Sequence, residues 1–227
     1  MANAGLDLTT LLNVKSWLGI TTTTTDQDQT IADSITAFSV YVLRLTGRAN
    51  SNGVVPTTSP FVQPVTYDEF YDGSGTMRQP IRNWPITAVS NVFVNGTALP
   101  QSTSVNVWGW VVDGDGRFIS IRGGTNASVA TFQNYRYQRG YGGANWGPGF
   151  QDGIQNVEVQ YTAGFSGVPQ DLEMAARKVI ARNYKRRGWI GQRSQMMADG
   201  AGTVMYDTWE MAPDEHRAIL FYKAYRT

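Results

Sequence analysis

The chain has 227 residues, of which 41% are hydrophobic and 12% aromatic, so it can bury the core of one or two ordinary domains. Cysteine is absent, which excludes disulfides, thiolate nucleophiles and cysteine-ligated zinc. The 19 Lys and Arg residues nearly balance the 18 Asp and Glu residues, which argues against a chain-wide electrostatic partnership with DNA or an anionic membrane. The opening residues lack signal-peptide features and no apolar run is long enough to span a membrane. We therefore expect a soluble, unsecreted protein that is assembled in a reducing cytoplasm.

Residues 7–20 are predicted to form a short helix. Asp7 is positioned to cap its start, and Gly19 can supply the left-handed residue at its end. Its apolar residues recur at helical spacings of three and four: Leu11, Val14 and Leu18.

A second helix is predicted to follow a threonine tract. Asp26 and Gln29 have the spacing of a capping box, and Gly47 is placed to end the helix. One continuous apolar stripe runs between them and consists of Ile31, Ile35, Phe38, Val42 and Leu45.

From about Asn50 the composition changes to glycine, proline and alternating β-branched or aromatic residues, which predicts short strands joined by turns. Asn95-Gly96 is typical of a tight hairpin turn, and the residues 113–116 (DGDG) precede another strand-like segment. Residues 132–150 mix aromatic residues, arginine and glycine without a period, so we expect a long loop or projecting arm there. A last strand is indicated by Val157, Val159 and Tyr161.

Helices are predicted again after Val168. Pro169 suits the first helical position because a proline lacks the N–H that would have no intrahelical partner there. One face of this helix is apolar, and the helix is expected to end near Gly188. Pro213 opens a last short helix.

No residue set predicts an active site or a cofactor. The only histidine, His216, lies beside acidic residues and is expected at the surface. The residues 113–116 lack the further acidic ligands of a calcium loop, so we interpret them as a turn. Asp68, Glu69 and Asp72 are interpreted as a solvated strand edge, because alternation along a strand would place their carboxylates on two faces.

The basic run from Arg177 to Arg193 is the strongest electrostatic feature of the sequence. Its helical face can be solvated, can contact an acidic protein partner, or can make non-specific contact with packaged DNA. The residues predicted to form this face are Lys178, Arg182, Lys185 and Arg186.

The predicted arm offers a second candidate surface. Tyrosine, tryptophan and arginine can stack on sugars or bases, but protein interfaces prefer the same residues. We favour a contact with another subunit or with a tail component, and the residues assigned to it are Tyr135, Tyr137, Arg139, Tyr141 and Trp146.

Three segments, in the same order along the chain, resemble the head-tail connector (adaptor) family of tailed bacteriophages. The first is LLNVKSWLGI at residues 11–20, followed by YVLRLTGR at residues 41–48. The second is RNWPITAVSNVFVNG at residues 82–96, and the third is VEVQYTAGFSGVPQDLEMAARKVIARNYKRRGWIG at residues 157–191. The residues 97–154 depart from the family because they are longer than its compact members need.

The resemblance implies a non-enzymatic virion protein of the particle neck. Such subunits form a ring, usually of twelve copies, that docks on the portal and holds the next neck or tail component. The family's C-terminal tail contacts the portal, and the residues here that the resemblance and their aromatic stripe assign to portal binding are Tyr206, Trp209, Ile219, Phe221, Tyr222 and Tyr225.

We therefore predict an α+β protein: a small helical bundle from residues 1–52 and 166–227, with an antiparallel β-rich domain at residues 53–165 inserted between them. We expect no enzymatic activity, cofactor, metal or membrane partner. Two alternatives remain open: a tail module that binds a receptor or carbohydrate through its β-rich part, and a DNA-binding protein involved in packaging.

Overall fold

The computed structural model describes residues 5–21, 23–49, 56–123, 149–187 and 211–225, and two short strands between residues 194 and 205. In these ranges the protein contains α-helices and antiparallel sheets, which confirms the predicted α+β class. The chain divides into two compact units. A helical unit comprises Met1–Val62 and Gly167–Lys223, and a β-rich unit comprises Gln63–Ser166 and Ala224–Thr227.

The helical unit is organised around one central helix. The helices are α1 (Leu11–Leu18), α2 (Asp28–Leu45), α3 (Gln170–Arg186) and α4 (Pro213–Leu220). Helix α3 contacts each of the other three. The predicted apolar stripes supply the core, because burying these side chains removes apolar surface from water. Fully buried residues of the four helices include Val14, Ile31, Ile35, Val42, Leu172, Ala176 and Ile219.

Two predicted helix starts are wrong. Helix α1 is capped by Thr10, whose hydroxyl accepts a hydrogen bond from the Asn13 backbone N–H at 3.2 Å. Asp7 instead accepts a hydrogen bond from the Thr36 hydroxyl of α2. Helix α2 begins at Asp28, and its N-cap side chain makes no capping hydrogen bond. The Asp28 carboxylate binds the buried Lys15 ammonium of α1 at 2.8 Å, so a tertiary ion pair anchors this helix start.

The helix ends follow the prediction more closely. Gly19 and Gly47 have positive φ values of 71° and 70° just beyond α1 and α2, where a residue without a Cβ is unstrained. Pro213 opens α4 as predicted, whereas Pro169 lies one position before the first residue of α3. None of the helices within the described ranges is long and apolar enough to cross a bilayer.

The β-rich unit contains two antiparallel sheets. The first has the order β1-β7-β3-β4, and its strands are β1 (Val65–Gly73), β3 (Ile86–Val94), β4 (Thr97–Ala98) and β7 (Gly153–Ala163). The second has the order β2-β6-β5, and its strands are β2 (Arg78–Pro80), β5 (Gly109–Val112) and β6 (Phe118–Arg122). Outside both sheets, β8 (Ser194–Met196) and β9 (Thr203–Met205) pair antiparallel.

Strand alternation gives the first sheet one buried and one open face. The buried face joins the second sheet in a single core, which includes Tyr71, Val92, Trp110, Ile119, Phe150, Val157 and Tyr161. The predicted turn at Asn95-Gly96 connects β3 to β4, and both residues have positive φ, 50° and 74°.

The Glu173 carboxylate joins α3 to the segment that begins α1. It accepts hydrogen bonds from the Asn13 amide at 2.8 Å and the Thr9 hydroxyl at 3.3 Å, and it also pairs with Arg177 one turn along α3. Partial burial acts to raise the pKa of Glu173, but the hydrogen bonds from Arg177, Asn13 and Thr9 and the charge of Arg177 outweigh it and lower the pKa.

We predict that Glu173→Gln destabilises the protein by about 1–2 kcal/mol at neutral pH, because three donors lose a charged acceptor. A lowered folded-state pKa stabilises the fold above the unfolded-state pKa, and this stabilisation is lost as the pH falls through the folded-state value. The difference between variant and wild type, measured by urea unfolding, should therefore shrink below about pH 4. Asp26→Asn, at an exposed carboxylate, is the control, and an equal pH dependence in both variants would contradict the assignment.

Candidate functional site

One residue of the predicted basic face of α3 forms an ion pair within the helical unit. Arg182 binds Glu215 of α4 through both guanidinium Nη atoms, with 3.0 Å between Nη1 and Oε2. Glu215 is only 3% exposed, and it also accepts a hydrogen bond from the Ala212 backbone N–H at 2.9 Å. One carboxylate therefore caps α4 and holds that helix against α3.

The other residues of this face are more accessible. Lys178 lies 4.0 Å from Asp214 in a solvent-exposed pair, Arg186 is half-buried, and Lys185 is exposed. The exposed pair of Lys178 with Asp214 is weak, because solvent screens it. The ammonium groups of Lys178 and Lys185 are therefore accessible to a partner. The structure thus divides the four predicted residues into one internal anchor, Arg182, and a smaller outward basic group.

The C-terminal aromatic stripe is divided in the same way. Ile219 and Tyr222 are buried in the helical unit, whereas Phe221 is 63% exposed. The Tyr222 hydroxyl donates a hydrogen bond to Asp171 at 2.7 Å, and the Tyr222 carbonyl oxygen accepts one from the buried Arg48 at 2.9 Å. Burial, and next the Asp171 carboxylate, raise the pKa of Tyr222, so its hydroxyl stays protonated and donates.

The remaining predicted portal-binding residues have other positions. Tyr225 belongs to the β-rich unit, where its ring packs against Phe118 and its backbone N–H donates to the Arg82 carbonyl oxygen at 3.3 Å. Tyr206 and Trp209 lie outside the described residues, and so does the whole set assigned to the arm: Tyr135, Tyr137, Arg139, Tyr141 and Trp146. Phe150, at the end of the predicted arm, is fully buried in the β-rich core.

Three residues form a short stripe on the exposed side of α4. The sequence prediction did not distinguish this exposed side from the buried side of the same helix. Arg217, Leu220 and Phe221 are all exposed, and their spacing of three and four places them on one side of the helix. His216 is exposed on the same helix, as predicted. The stripe combines one positive charge with two apolar side chains, which suits binding of a protein surface.

The acidic residues of β1 lie on two faces of the sheet. Asp68 lies on the open face beside Gln160, whereas Glu69 points to the buried face. The Glu69 carboxylate accepts hydrogen bonds from the hydroxyls of Tyr71 at 2.5 Å and Tyr161 at 2.6 Å. The prediction that all three acids are solvated is therefore wrong for Glu69, because alternation indicates the face on which a residue lies but not its hydrogen-bond donors, Tyr71 on the same strand and Tyr161 on β7.

Tyr71, Glu69 and Tyr161 form a hydrogen-bonded cluster that links β1 to β7, and we call this cluster the strand clamp. The Arg82 guanidinium lies 3.7 Å from Glu69, and the Arg82 backbone N–H donates to the Tyr71 hydroxyl at 3.3 Å. Burial, followed by the charge of Glu69, raises the pKa of Tyr71; burial, followed by Tyr71 and then Glu69, raises that of Tyr161. Both phenols therefore remain donors, and they hold the carboxylate between β1 and β7.

The residues 113–116 form the predicted turn between β5 and β6. The Asp113 carboxylate accepts a hydrogen bond from the Ser120 hydroxyl at 2.6 Å and pairs with Arg78, so it is engaged by the protein itself. Across the described ranges, no group of three or more His, Asp or Glu side chains is arranged to hold a metal ion.

No family model and no curated protein matches the chain. Among solved structures, a chain of the "neck of native GTA particle computed with C12 symmetry" is similar, with 14% identity, 99% of this chain and 92% of that chain covered, and a TM-score of 0.47. A chain of the "neck of empty GTA particle computed with C6 symmetry" has 15% identity, coverages of 96% and 90%, and a TM-score of 0.44. A chain of the "virion of native gene transfer agent (GTA) particle" has 14% identity, coverages of 96% and 90%, and a TM-score of 0.42. What this chain does is therefore inferred from its own residues.

We predict that Arg182→Met destabilises the protein by about 3 kcal/mol, because it leaves the Glu215 carboxylate buried without its counter-ion. Lys185→Met, at an exposed position on the same helix, should change the stability by at most about 0.5 kcal/mol. Thermal and urea unfolding measure both. Equal effects of the two substitutions would contradict the role of Arg182 as an internal anchor.

A second pair of substitutions tests the strand clamp. Glu69→Ala should cost about 2–3 kcal/mol, because two buried phenol groups lose their acceptor. Asp68→Ala changes the neighbouring residue on the open face and should cost about 0.5 kcal/mol or less. If the two variants unfold at the same urea concentration, Glu69 does not hold the strands together.

Proposed function

We propose that the chain is a head-tail connector (adaptor) subunit that forms a ring beneath the portal of a tailed phage or phage-like particle and holds the next neck or tail component. In this proposal the protein is a virion component without enzymatic activity or cofactor. Its helical unit supplies the docking surface for the portal, and its outward basic residues face acidic neighbours or the passing DNA.

The observation that carries the proposal is the packing of the segments that resemble this family. The first segment forms α1 and the end of α2, and the third segment forms β7 and α3. Helix α3 packs against both α1 and α2, and Glu173 bonds to Asn13 across 160 residues of sequence. The helical pieces that carry the resemblance therefore fold as one unit around α3.

The outer stripe of α4 supports a docking role for the C-terminal segment. A helix that docks into a groove presents apolar anchors at spacings of three and four. Leu220 and Phe221 meet this requirement, and Arg217 lies one turn before them. Ile219 and Tyr222, on the other side, fix α4 to its own unit. The portal surface assigned to this chain is thus Arg217, Leu220 and Phe221, supported from inside by Ile219 and Tyr222.

We expect Phe221→Asp to abolish association with the portal protein of the same genome, because it places a charge at the most exposed apolar anchor of α4. Native mass spectrometry of the chain mixed with that portal measures the loss. A point substitution is preferable to deleting residues 206–227, because the deletion also removes the buried Ile219 and Tyr222.

Leu12→Asp is the matched control, since Leu12 is 59% exposed on α1. The proposal requires that this variant and the wild type both bind the portal as rings of many copies. A Phe221→Asp variant that folds and still binds would remove α4 as the anchor, and a wild-type chain that never associates with the portal would contradict the connector function.

A further inference from the structure

The open face of the first sheet is a continuous surface built from three strands. Three rows of residues cross β1, β7 and β3 on this face, and the register places them side by side. The rows are Phe70, Glu158 and Phe93; Asp68, Gln160 and Asn91; and Thr66, Thr162 and Ala88. All nine are exposed or half-exposed.

The first row places a carboxylate between two phenylalanines, an arrangement that suits a planar cation. Phe70 is 56% exposed, and Phe93 lies two strands away with Glu158 between them. Neighbouring strands are about 4.8 Å apart, so the backbones of Phe70 and Phe93 are roughly 10 Å apart, with Glu158 on the strand between them. A planar cation between them would meet an aromatic ring on each side and a negative charge beneath.

The charge of the face has one sign. Asp68 and Glu158 contribute two carboxylates, no Lys or Arg lies in the three rows, and neither acid forms an ion pair with the residues that the structure describes. Gln160 orders both carboxylates, since its amide donates to Glu158 at 3.1 Å and approaches Asp68 at 3.5 Å. The chemistry of the face therefore selects a ligand that carries guanidinium and aromatic groups.

The chain itself contains a segment of this composition. Residues 124–148, outside the described part, contain two arginines, Arg136 and Arg139, and no acidic residue. They also contain five aromatic residues: Phe132, Tyr135, Tyr137, Tyr141 and Trp146. Arginine and aromatic side chains are the groups that contribute most at protein interfaces.

We propose that the open face of the first sheet in one copy binds residues 124–148 of a second copy. This inference rests on the proposed ring function, because a contact between two different surfaces of identical subunits is heterologous and closes into a ring when repeated. Each subunit then gives one cationic aromatic segment and receives one. The open face offers Glu158 and Asp68 as counter-ions for the arginines of this segment, and Phe70 and Phe93 as apolar contacts for its aromatic residues.

A charge exchange between copies tests the contact. One variant carries Asp68→Arg and Glu158→Arg, and the other carries Arg136→Glu and Arg139→Glu. Each alone opposes like charges, so its self-association, measured by sedimentation velocity, should weaken roughly tenfold or more. Mixed together, the two variants should assemble, because each face then meets a segment of opposite charge supplied by the other variant.

Two results would overturn the inference: either variant assembling alone like the wild type, or the mixture failing to assemble while both variants remain folded by circular dichroism. A variant with Asp26→Arg and Asp115→Arg, at two exposed positions outside the three rows, changes the net charge by the same amount as the face variant and should assemble normally. If either of these results is obtained while the wild type still forms rings, the inference is wrong but the proposed function is unaffected. A wild-type chain that stays monomeric with and without the portal would instead contradict the proposed function.

Discussion

Two carboxylates in the first turn of α3 hold segments from near the two ends of the chain in one helical unit. Glu173 accepts hydrogen bonds from Asn13 and Thr9 near the start, and Asp171 accepts one from Tyr222 near the end. Negative charge is also favoured at this position by the positive end of the helix. The helical unit therefore requires residues on both sides of residues 63–166, which belong to the β-rich unit.

The sequence predicted those parts of the fold that local periodicity controls. The apolar stripe of α2 is buried along Ile31, Ile35, Phe38 and Val42, because spacing alone places such residues on one side of a helix. The helix starts were predicted poorly. Asp7 and Asp28 serve partners on a neighbouring helix, Thr36 and Lys15, and nothing within a capping motif reveals those partners.

The same limit applies to the candidate site. Arg182 was assigned to a surface by its charge, but its partner Glu215 lies 33 residues further along the chain. Tyr222 was assigned to a partner's groove by its aromatic ring, but its hydroxyl bonds to Asp171, 51 residues away. A usable signal did exist for Glu215: it lies two residues after Pro213 at a helix start, where a glutamate caps and is drawn inward. Residue type indicates which groups can bind a partner, and tertiary packing decides which remain available.

The near-neutral net charge hides an uneven distribution of the charges that remain at the surface when the internal ion pairs are set aside. Arg182, Lys15 and Arg177 are neutralised inside the helical unit, so outward positive charge is left at positions such as Lys185 and Arg217. Outward negative charge is left on the open sheet face at Asp68 and Glu158. Identical subunits with a large net charge would repel one another in a ring, whereas separated patches of opposite sign let a neutral subunit attract its neighbour in one orientation. A small net charge with separated patches of opposite sign therefore favours head-to-tail contacts between identical subunits.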